Sequence, residues 1–242
     1  MGALERLKEL FILDFVRDQR YMYIVKGLRT TLLVTFLALI LGLILGILVA
    51  VIRTAHDQVD KKKMGGVPRF LLAFMNTICR VYLTVIRGTP AMVQLLLMYF
   101  VFLASSTNKV LVAVLSFGIN SGAYVAEIFR SGIMSIDKGQ MEAGRSLGLG
   151  YAKTMQKIIL PQAIKNVLPA LVNEMITLLK ETSICGYIGL NELTRGGDII
   201  RGITFDALLP LLVVAAIYLI IVMFFTWLMG KLERRLRESD NR

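Results

Sequence analysis

The sequence predicts an all-α, polytopic membrane protein with about five transmembrane helices and a helical hairpin between two of them. Residues 32–52 form an apolar run without a charge, and residues 208–230 form a second such run. Roughly 20 apolar residues are needed to cross a hydrocarbon core of about 30 Å, so each run is long enough. Hydrophobic residues make up 56% of the 242-residue chain, whereas soluble domains contain roughly 45–50%.

The first predicted element is an amphipathic helix within the N-terminal segment, residues 1–26. Leu4, Leu7, Phe11 and Phe15 recur at steps of three and four residues, with charged residues between them. This spacing places the apolar side chains on one face of a helix. We therefore expect the segment to lie in the membrane interface, in contact with lipid.

A transmembrane domain over residues 27–230 follows, and a basic tail over residues 231–242 ends the chain. Five segments of the domain are assigned as spans: residues 30–51, 90–104, 110–128, 158–179 and 208–230. Residues 70–86, which include Arg80, are left outside the spans as a mixed stretch. The first span also carries small residues at four-residue spacing, which allows another helix to approach closely: Gly42, Gly46 and Ala50.

The charge distribution indicates the orientation of the spans. The net charge is +11, and the excess lies next to apolar segments, where the positive-inside rule explains it without a nucleic-acid partner. Residues 53–69, residues 130–157 and the tail each carry five basic residues and are predicted to be cytoplasmic. Five spans would then place the N-terminus outside. The six basic and four acidic residues before Thr30 oppose this assignment.

Metal and disulfide chemistry are not indicated. The chain has two cysteines, Cys79 and Cys185, and one histidine, His56, in unrelated contexts. Such residues make neither a disulfide framework nor a metal-ligand set. We therefore predict no metal site, no cofactor and no catalytic residues.

The most informative stretch is the hairpin, residues 138–161, between the third and fourth spans. Its sequence from Glu142 to Pro161 is EAGRSLGLGYAKTMQKIILP. Gly148 and Gly150 separate two short helices, and the second helix is expected to end at Pro161. A rigid cytoplasmic hairpin with small residues suits a partner's groove, although composition alone also allows a plain connecting loop.

The hairpin resembles the EAA signature of ABC importer permeases. The matching positions are Glu142, Ala143, Gly144, Gly148, Ile158, Leu160 and Pro161, with Gly144 where the family usually has alanine. Residues 85–100, 120–143 and 159–183 further resemble the polar-amino-acid branch, which handles histidine, glutamine, glutamate, arginine and opines. The resemblance covers roughly residues 27–230 and implies the type I importer fold.

This resemblance implies partners and a location. The hairpin would be a coupling helix seated in a cleft of an ATP-binding subunit, which acts as a dimer. A second permease subunit, identical or different, and an external solute-binding protein would complete the importer in the bacterial inner membrane. The chain has no G-x-x-x-x-G-K-[ST] loop, so ATP hydrolysis is expected in a separate subunit.

Polar residues inside the spans are candidates for substrate binding, because ionisable groups are costly in a membrane. One helix face carries Asn120, Tyr124 and Glu127 at steps of four and three residues, and a similar stripe carries Asn173, Thr177 and Lys180 or Glu181. The other candidates are Glu174, in the same segment as the second stripe, and Gln94, in the second span. We expect Glu127 and Glu174 to be the acids of the site. Alternatively, Glu127 pairs with Arg130, and Glu174 contacts the partner permease.

Three other functions are less consistent with the sequence. An ATP-independent secondary transporter or channel conflicts with the docking hairpin and with the lack of a detectable inverted repeat. A membrane enzyme would need a nucleophile and base, and none is evident. The site residues do not exclude an ABC permease for another small solute. Only the resemblance to the polar-amino-acid branch argues against it.

Overall fold

The computed structural model describes residues 3–58 and 65–238, and within these ranges every regular element is helical. Lys61, Lys62 and Lys63 and the last four residues of the tail lie outside the described residues. The α-helices are α1 (Ala3–Phe11), α2 (Tyr21–Gln58), α3 (Gly66–Gly88), α4 (Ala91–Leu97), α5 (Lys109–Met134), α6 (Lys138–Ser146), α7 (Tyr151–Thr154), α8 (Leu160–Glu181), α9 (Leu193–Thr204) and α10 (Leu208–Glu238). The π-helical turns are Ile12–Val16, Met98–Phe102 and Met155–Ile159, and the 3₁₀ turns are Arg17–Gln19 and Thr182–Ile188.

Four of these helices, α2, α3, α5 and α10, are long and apolar enough to cross a membrane. The all-α polytopic fold is thereby confirmed, but the positions of individual segments need correction. The stretch 70–86, left outside the spans, lies within the 23-residue helix α3. The predicted span 90–104 contains only a shorter apolar helical segment, residues 91–102. Their length is below the roughly 20 residues that a separate crossing requires.

Two other assigned spans also differ in detail. Residues 110–128 lie in α5, which continues unbroken through Asn120 and Ser121. Both of these polar side chains are buried. The segment 158–179 is largely α8, a 22-residue helix that carries Pro169.

The helices belong to two compact units. The first contains residues 1–38, 91–117 and 176–228, and the second contains residues 39–90, 118–175 and 229–242. The first unit has a hydrophobic core that includes Phe15, Ile24, Leu193, Ile200 and Val214. The second has a core that includes Val49, Cys79, Leu83, Ala123 and Ala126.

Glycines in the second unit allow α2 and α5 to pack closely. A Cβ atom on Gly46 would lie 2.4 Å from Val125 Cγ1, and one on Gly42 would lie 3.0 Å from Ser121 Cβ. The ladder of small residues therefore contacts another helix of the same chain. This packing matters because α5 carries the polar residues of the candidate site.

The N-terminal segment buries one acid in the first unit. Asp14 is fully buried, and neither carboxylate oxygen has a hydrogen-bond partner among the described residues. Asp206 and Thr204 face it, but the Thr204 hydroxyl donates to the Ile200 carbonyl at 3.0 Å. Burial is the largest effect and raises the pKa of Asp14; Thr204 opposes it, the Asp206 carboxyl raises the pKa further, and Arg20 has the smallest, opposing effect. The interfacial location of residues 1–26 stays a prediction.

We expect Asp14→Asn to reduce the dependence of stability on pH. A raised pKa means that the folded state holds a proton that the unfolded state releases, so this stabilisation is complete below the unfolded pKa, 3.8, and is lost as pH rises through the folded pKa. Asparagine stays neutral and can donate to Asp206. Thermal unfolding in detergent at about pH 5 and about pH 8 tests this. Asp18→Asn, at an exposed carboxylate of the same segment, should not change the pH dependence, and an equal response of both variants would contradict the assignment.

Candidate functional site

The hairpin predicted from the sequence is present, and hydrogen bonds define both ends of its first helix, α6. Asp137 caps α6, accepting a hydrogen bond from the Gly139 backbone N–H at 2.6 Å. At the other end, Gly148 has φ +80°, and its N–H bonds to the Arg145 carbonyl at 3.0 Å, while the Leu149 N–H bonds to the Gly144 carbonyl at 3.1 Å. This is a Schellman motif, which favours glycine at the left-handed position.

Gly144 is where the two arms of the hairpin meet. A Cβ atom there would lie 2.5 Å from Thr154 Cγ2 and 3.1 Å from Ile158 Cδ1. Such distances are too short for a methyl group unless Thr154 moves. The departure from the usual alanine therefore has a local cause, since Thr154 occupies the space that the methyl group would fill.

The second arm does not end at Pro161 as predicted. The backbone passes from α7 through the π turn Met155–Ile159 directly into α8. Pro161 is the second residue of α8, and the Gln162 side chain donates to the Ile158 carbonyl at 2.8 Å. A π turn next to the proline accommodates its ring and missing N–H without ending the helix.

One surface of the hairpin is exposed. Glu142 and Ala143 are exposed on α6, and Leu147, at the turn, is 80% exposed. An apolar side chain this exposed at the end of a rigid helix is suited to burial against a partner. The sequence comparison with the EAA signature did not single out Leu147.

A separate open cavity of about 490 Å³ lies within the second unit. It is lined by residues of α3, α5 and α8: Arg87, Tyr124, Glu127, Ile128, Ser131, Gly132, Ser135, Asn166, Ala170 and Glu174. Among the residues singled out in the sequence, Tyr124, Glu127 and Glu174 are therefore brought together. Asn120 and Asn173 do not line this cavity, and Gln94 and Thr177 belong to the first unit.

Glu127 is the centre of the charged groups in the cavity. It accepts hydrogen bonds from Arg130, at 2.6 Å from Nη2 and 3.2 Å from Nε. The predicted alternative pairing of these two residues is thus confirmed. Arg87 Nη1 lies 3.6 Å from Glu127 Oε2, the oxygen that also accepts the Arg130 Nε bond, and its guanidinium carbon lies 5.8 Å from the centre of the Tyr124 ring. Arg87 is therefore the more loosely held of the two arginines.

Two other polar side chains of the cavity, Glu174 and Asn166, form hydrogen bonds with hydroxyl groups. Glu174 Oε1 accepts a hydrogen bond from the Ser121 hydroxyl at 2.7 Å. Asn166 Nδ2 donates to Ser135 Oγ at 2.9 Å, and that hydroxyl donates to the Gly132 carbonyl at 2.8 Å. These contacts connect α5 with α8, so the carboxylate and the amide have defined positions.

Two close contacts bring the three helices together at the cavity. The Tyr82 hydroxyl of α3 donates to the Ile119 carbonyl of α5 at 2.6 Å. On the other side, a Cβ atom on Gly132 would lie 2.2 Å from Val167 Cγ2, so glycine is needed for α8 to approach α5. The cavity can accordingly present a guanidinium and a carboxylate on separate helices.

Sequence reasoning missed several lining residues, of which Arg87 is the most important. It lies in the sequence between the mixed stretch 70–86 and the predicted span 90–104, outside both segments. Arg80 and Arg87 are seven residues apart in one helix, and this two-turn spacing in an apolar segment could have indicated a shared polar face. Ser131, Ser135 and Asn166 had no comparable signal.

Comparison with known proteins agrees with this architecture. Residues 42–238 match the family described as "Binding-protein-dependent transport system inner membrane component". The arginine transport system permease protein ArtQ of Bacillus subtilis is 42% identical over 162 residues, which are 66% of this chain and 74% of that protein. The glutamine transport system permease protein GlnP of Escherichia coli strain K12 is 42% identical over 167 residues, covering 67% and 76%.

Solved structures show the same fold. An amino acid ABC transporter crystallised with histidines superposes with a TM-score of 0.78 at 37% identity, over 97% of this chain and 99% of that chain. The inward-facing MetNI methionine ABC transporter gives a TM-score of 0.73 at 19% identity, over 89% and 96%. The chain therefore belongs to the family of binding-protein-dependent transport system inner membrane components.

Proposed function

We propose that this chain is the membrane-spanning permease subunit of an ABC importer that carries a polar amino acid by ATP-driven alternating access. The observation that carries the proposal is the rigid hairpin of α6 and α7, which exposes Ala143 and Leu147 between long apolar helices. The names of the relatives, which refer to arginine and glutamine transport, support an amino acid as the substrate.

The hairpin is the coupling element in this proposal. Its outer residues enter a cleft in an ATP-binding subunit, and closure of two such subunits moves two hairpins together. The importer then contains a pair of ATPase subunits, a second permease subunit, identical or different, and an external solute-binding protein. The Schellman turn and the contact of Gly144 with Thr154 make the hairpin stiff enough to transmit force.

For the orientation, we propose an external N-terminus and a cytoplasmic C-terminus. The second unit contains the hairpin and the described parts of residues 53–69 and of the basic tail. These segments are the ones that the positive-inside rule assigns to the cytoplasm.

We further propose that the charged cavity of the second unit binds the amino acid. A zwitterion needs one cationic and one anionic partner. Arg87 can receive the α-carboxylate, because its contact with Glu127 is longer than that of Arg130. Glu174 can receive the α-ammonium group, and Tyr124 and Asn166 supply neutral contacts.

Reconstitution tests the proposed function. The chain, its cognate ATPase subunits and the binding protein would be placed in proteoliposomes, and uptake of labelled arginine, glutamine, glutamate, histidine and cystine would be measured with and without ATP. We expect ATP-dependent uptake of one polar amino acid that stops when the ATPase subunit is omitted. Uptake that continues without the ATPase would instead identify a secondary transporter.

Glu174→Gln should weaken substrate binding without disrupting the cavity. Glutamine retains the shape of the side chain and can still accept the Ser121 hydrogen bond, but it lacks the charge that the ammonium group requires. A hydrogen bond to a charged group contributes about 1.5–3 kcal/mol, so we expect KM to rise about 10-fold to 100-fold. Glu181→Gln, two turns along α8 and outside the cavity, is the control. Unchanged affinity and rate in Glu174→Gln would remove this residue from the site.

A further inference from the structure

A second cavity adjoins the proposed substrate cavity and carries an excess of positive charge. Its volume is about 520 Å³, and it shares Arg87 and Glu127 with the first cavity. Arg53 of α2 and Arg80 of α3 also line it. Three arginines therefore line one open space, and Glu127 provides the single carboxylate among its described lining residues.

The carboxylate does not neutralise these arginines. Glu127 is held by Arg130 at 2.6 Å, and its contact with Arg87 is 3.6 Å. The Arg53 Nε atom is buried and has no hydrogen-bond partner among the described residues. Charged groups of one sign that line an open space attract a mobile ion of the other sign. The cavity accordingly suits an anion.

The two adjoining cavities indicate which anion this is. A zwitterionic amino acid uses one positive and one negative group, Arg87 and Glu174, as described for the proposed function. Glu127 remains paired with Arg130, so Arg53 and Arg80 are left to face the substrate side chain. A cationic side chain would be repelled, and a neutral one would leave both guanidinium groups without a counter-charge.

We propose that the transported substrate is an acidic amino acid whose side-chain carboxylate enters the cavity lined by Arg53, Arg80 and Arg87. This inference rests on the proposed function and specifies its substrate class. The relatives named for arginine and glutamine transport are 42% identical to this chain, which leaves room for a different side-chain preference.

Binding to the permease itself gives the test, because the external binding protein has its own selectivity. The permease would be purified with its ATPase subunits, without the binding protein, and binding of labelled glutamate, aspartate, glutamine and arginine would be measured. We expect the two acidic amino acids to bind at least about tenfold more tightly than the other two. Tightest binding of glutamine or arginine would overturn the inference while leaving an amino acid importer in place.

Substitutions in the arginine cavity separate side-chain recognition from general effects. Arg80→Gln and Arg53→Gln should weaken glutamate binding about 10-fold to 100-fold and leave glutamine binding within about twofold. Arg69→Gln, on the same helix as Arg80 but outside the cavity, should change neither. Equal weakening of all amino acids would overturn the side-chain assignment. Co-purification of the ATPase subunits checks that each variant assembles.

Two further results would contradict the inference or the proposed function. The same measurements would be made in vesicles of phosphatidylcholine alone and with added phosphatidylglycerol. If the substitutions changed only the response to phosphatidylglycerol, the cavity would hold a lipid phosphate, and the inference would be wrong. If the complete assembly with its binding protein moved no amino acid at all, the proposed function itself would fail.

Discussion

Replacing Leu147 by aspartate is expected to abolish ATP-driven uptake by detaching the permease from its ATPase. Leu147 is 80% exposed at the tip of the hairpin, next to the glycine turn that ends α6. In the proposed assembly, this side chain is buried in a cleft of the ATP-binding subunit. Removing an interface anchor of this kind typically costs at least about 2 kcal/mol, and an unpaired buried charge adds to this.

The matched control for this change is Val67→Asp. Val67 is 81% exposed, and it lies in the first turn of α3 rather than in the hairpin. Both substitutions add one carboxylate at an equally exposed apolar position. Co-purification of the ATPase subunits and ATP-dependent uptake would be measured for each. Normal attachment and uptake in Leu147→Asp, or equal loss in both variants, would contradict the coupling role of the hairpin.

Arg87→Gln is expected to lower kcat/KM for the transported amino acid by at least about 100-fold. Arg87 is the cation proposed to bind the α-carboxylate, and a charge-assisted, forked contact of this kind exceeds an ordinary hydrogen bond in strength. Its removal also takes away one of the two arginines that contact Glu127. Arg87→Lys keeps the charge without the forked geometry, so we expect an intermediate loss.

Uptake at varied substrate concentration separates binding from a structural effect. A loss of substrate binding raises KM, whereas a loss of coupling lowers the maximal rate and the ATPase activity together. Binding of the labelled amino acid to the detergent-purified permease–ATPase assembly gives an independent measure. An Arg87→Gln variant that binds and transports the amino acid normally would remove the charged cavity as the substrate site.

The location of the hairpin was open to sequence reasoning because the signature is local. Asp137, Gly144 and Gly148 act within one short stretch, and each has a conformational requirement that depends on near neighbours. Leu147 was not predicted because the residue type alone does not indicate whether a side chain is exposed. Only its position at the turn of a folded hairpin distinguishes it from the buried leucines of the chain.

The charged cavity, in contrast to the hairpin, could be predicted only in part from the sequence. Tyr124 and Glu127 were predicted from their spacing on α5, since helix periodicity specifies which residues share a face. Glu174 was predicted because an acid inside a membrane span is costly. Asn120 and Asn173 satisfied the same spacing and yet do not line the cavity. A shared helical face covers a wide arc, and the neighbouring helices determine which part of it opens into a cavity.

The sequence by itself determined that the chain is a helical membrane protein with a helical hairpin between long apolar helices, because apolar run length and turn glycines act over short distances. Tertiary structure alone decided that Arg87 contacts Glu127 and that Ser121 contacts Glu174, pairs separated by 40 and 53 residues. The rotation and depth of each helix set such pairings. They follow from packing contacts such as Gly132 against Val167, which no single segment encodes.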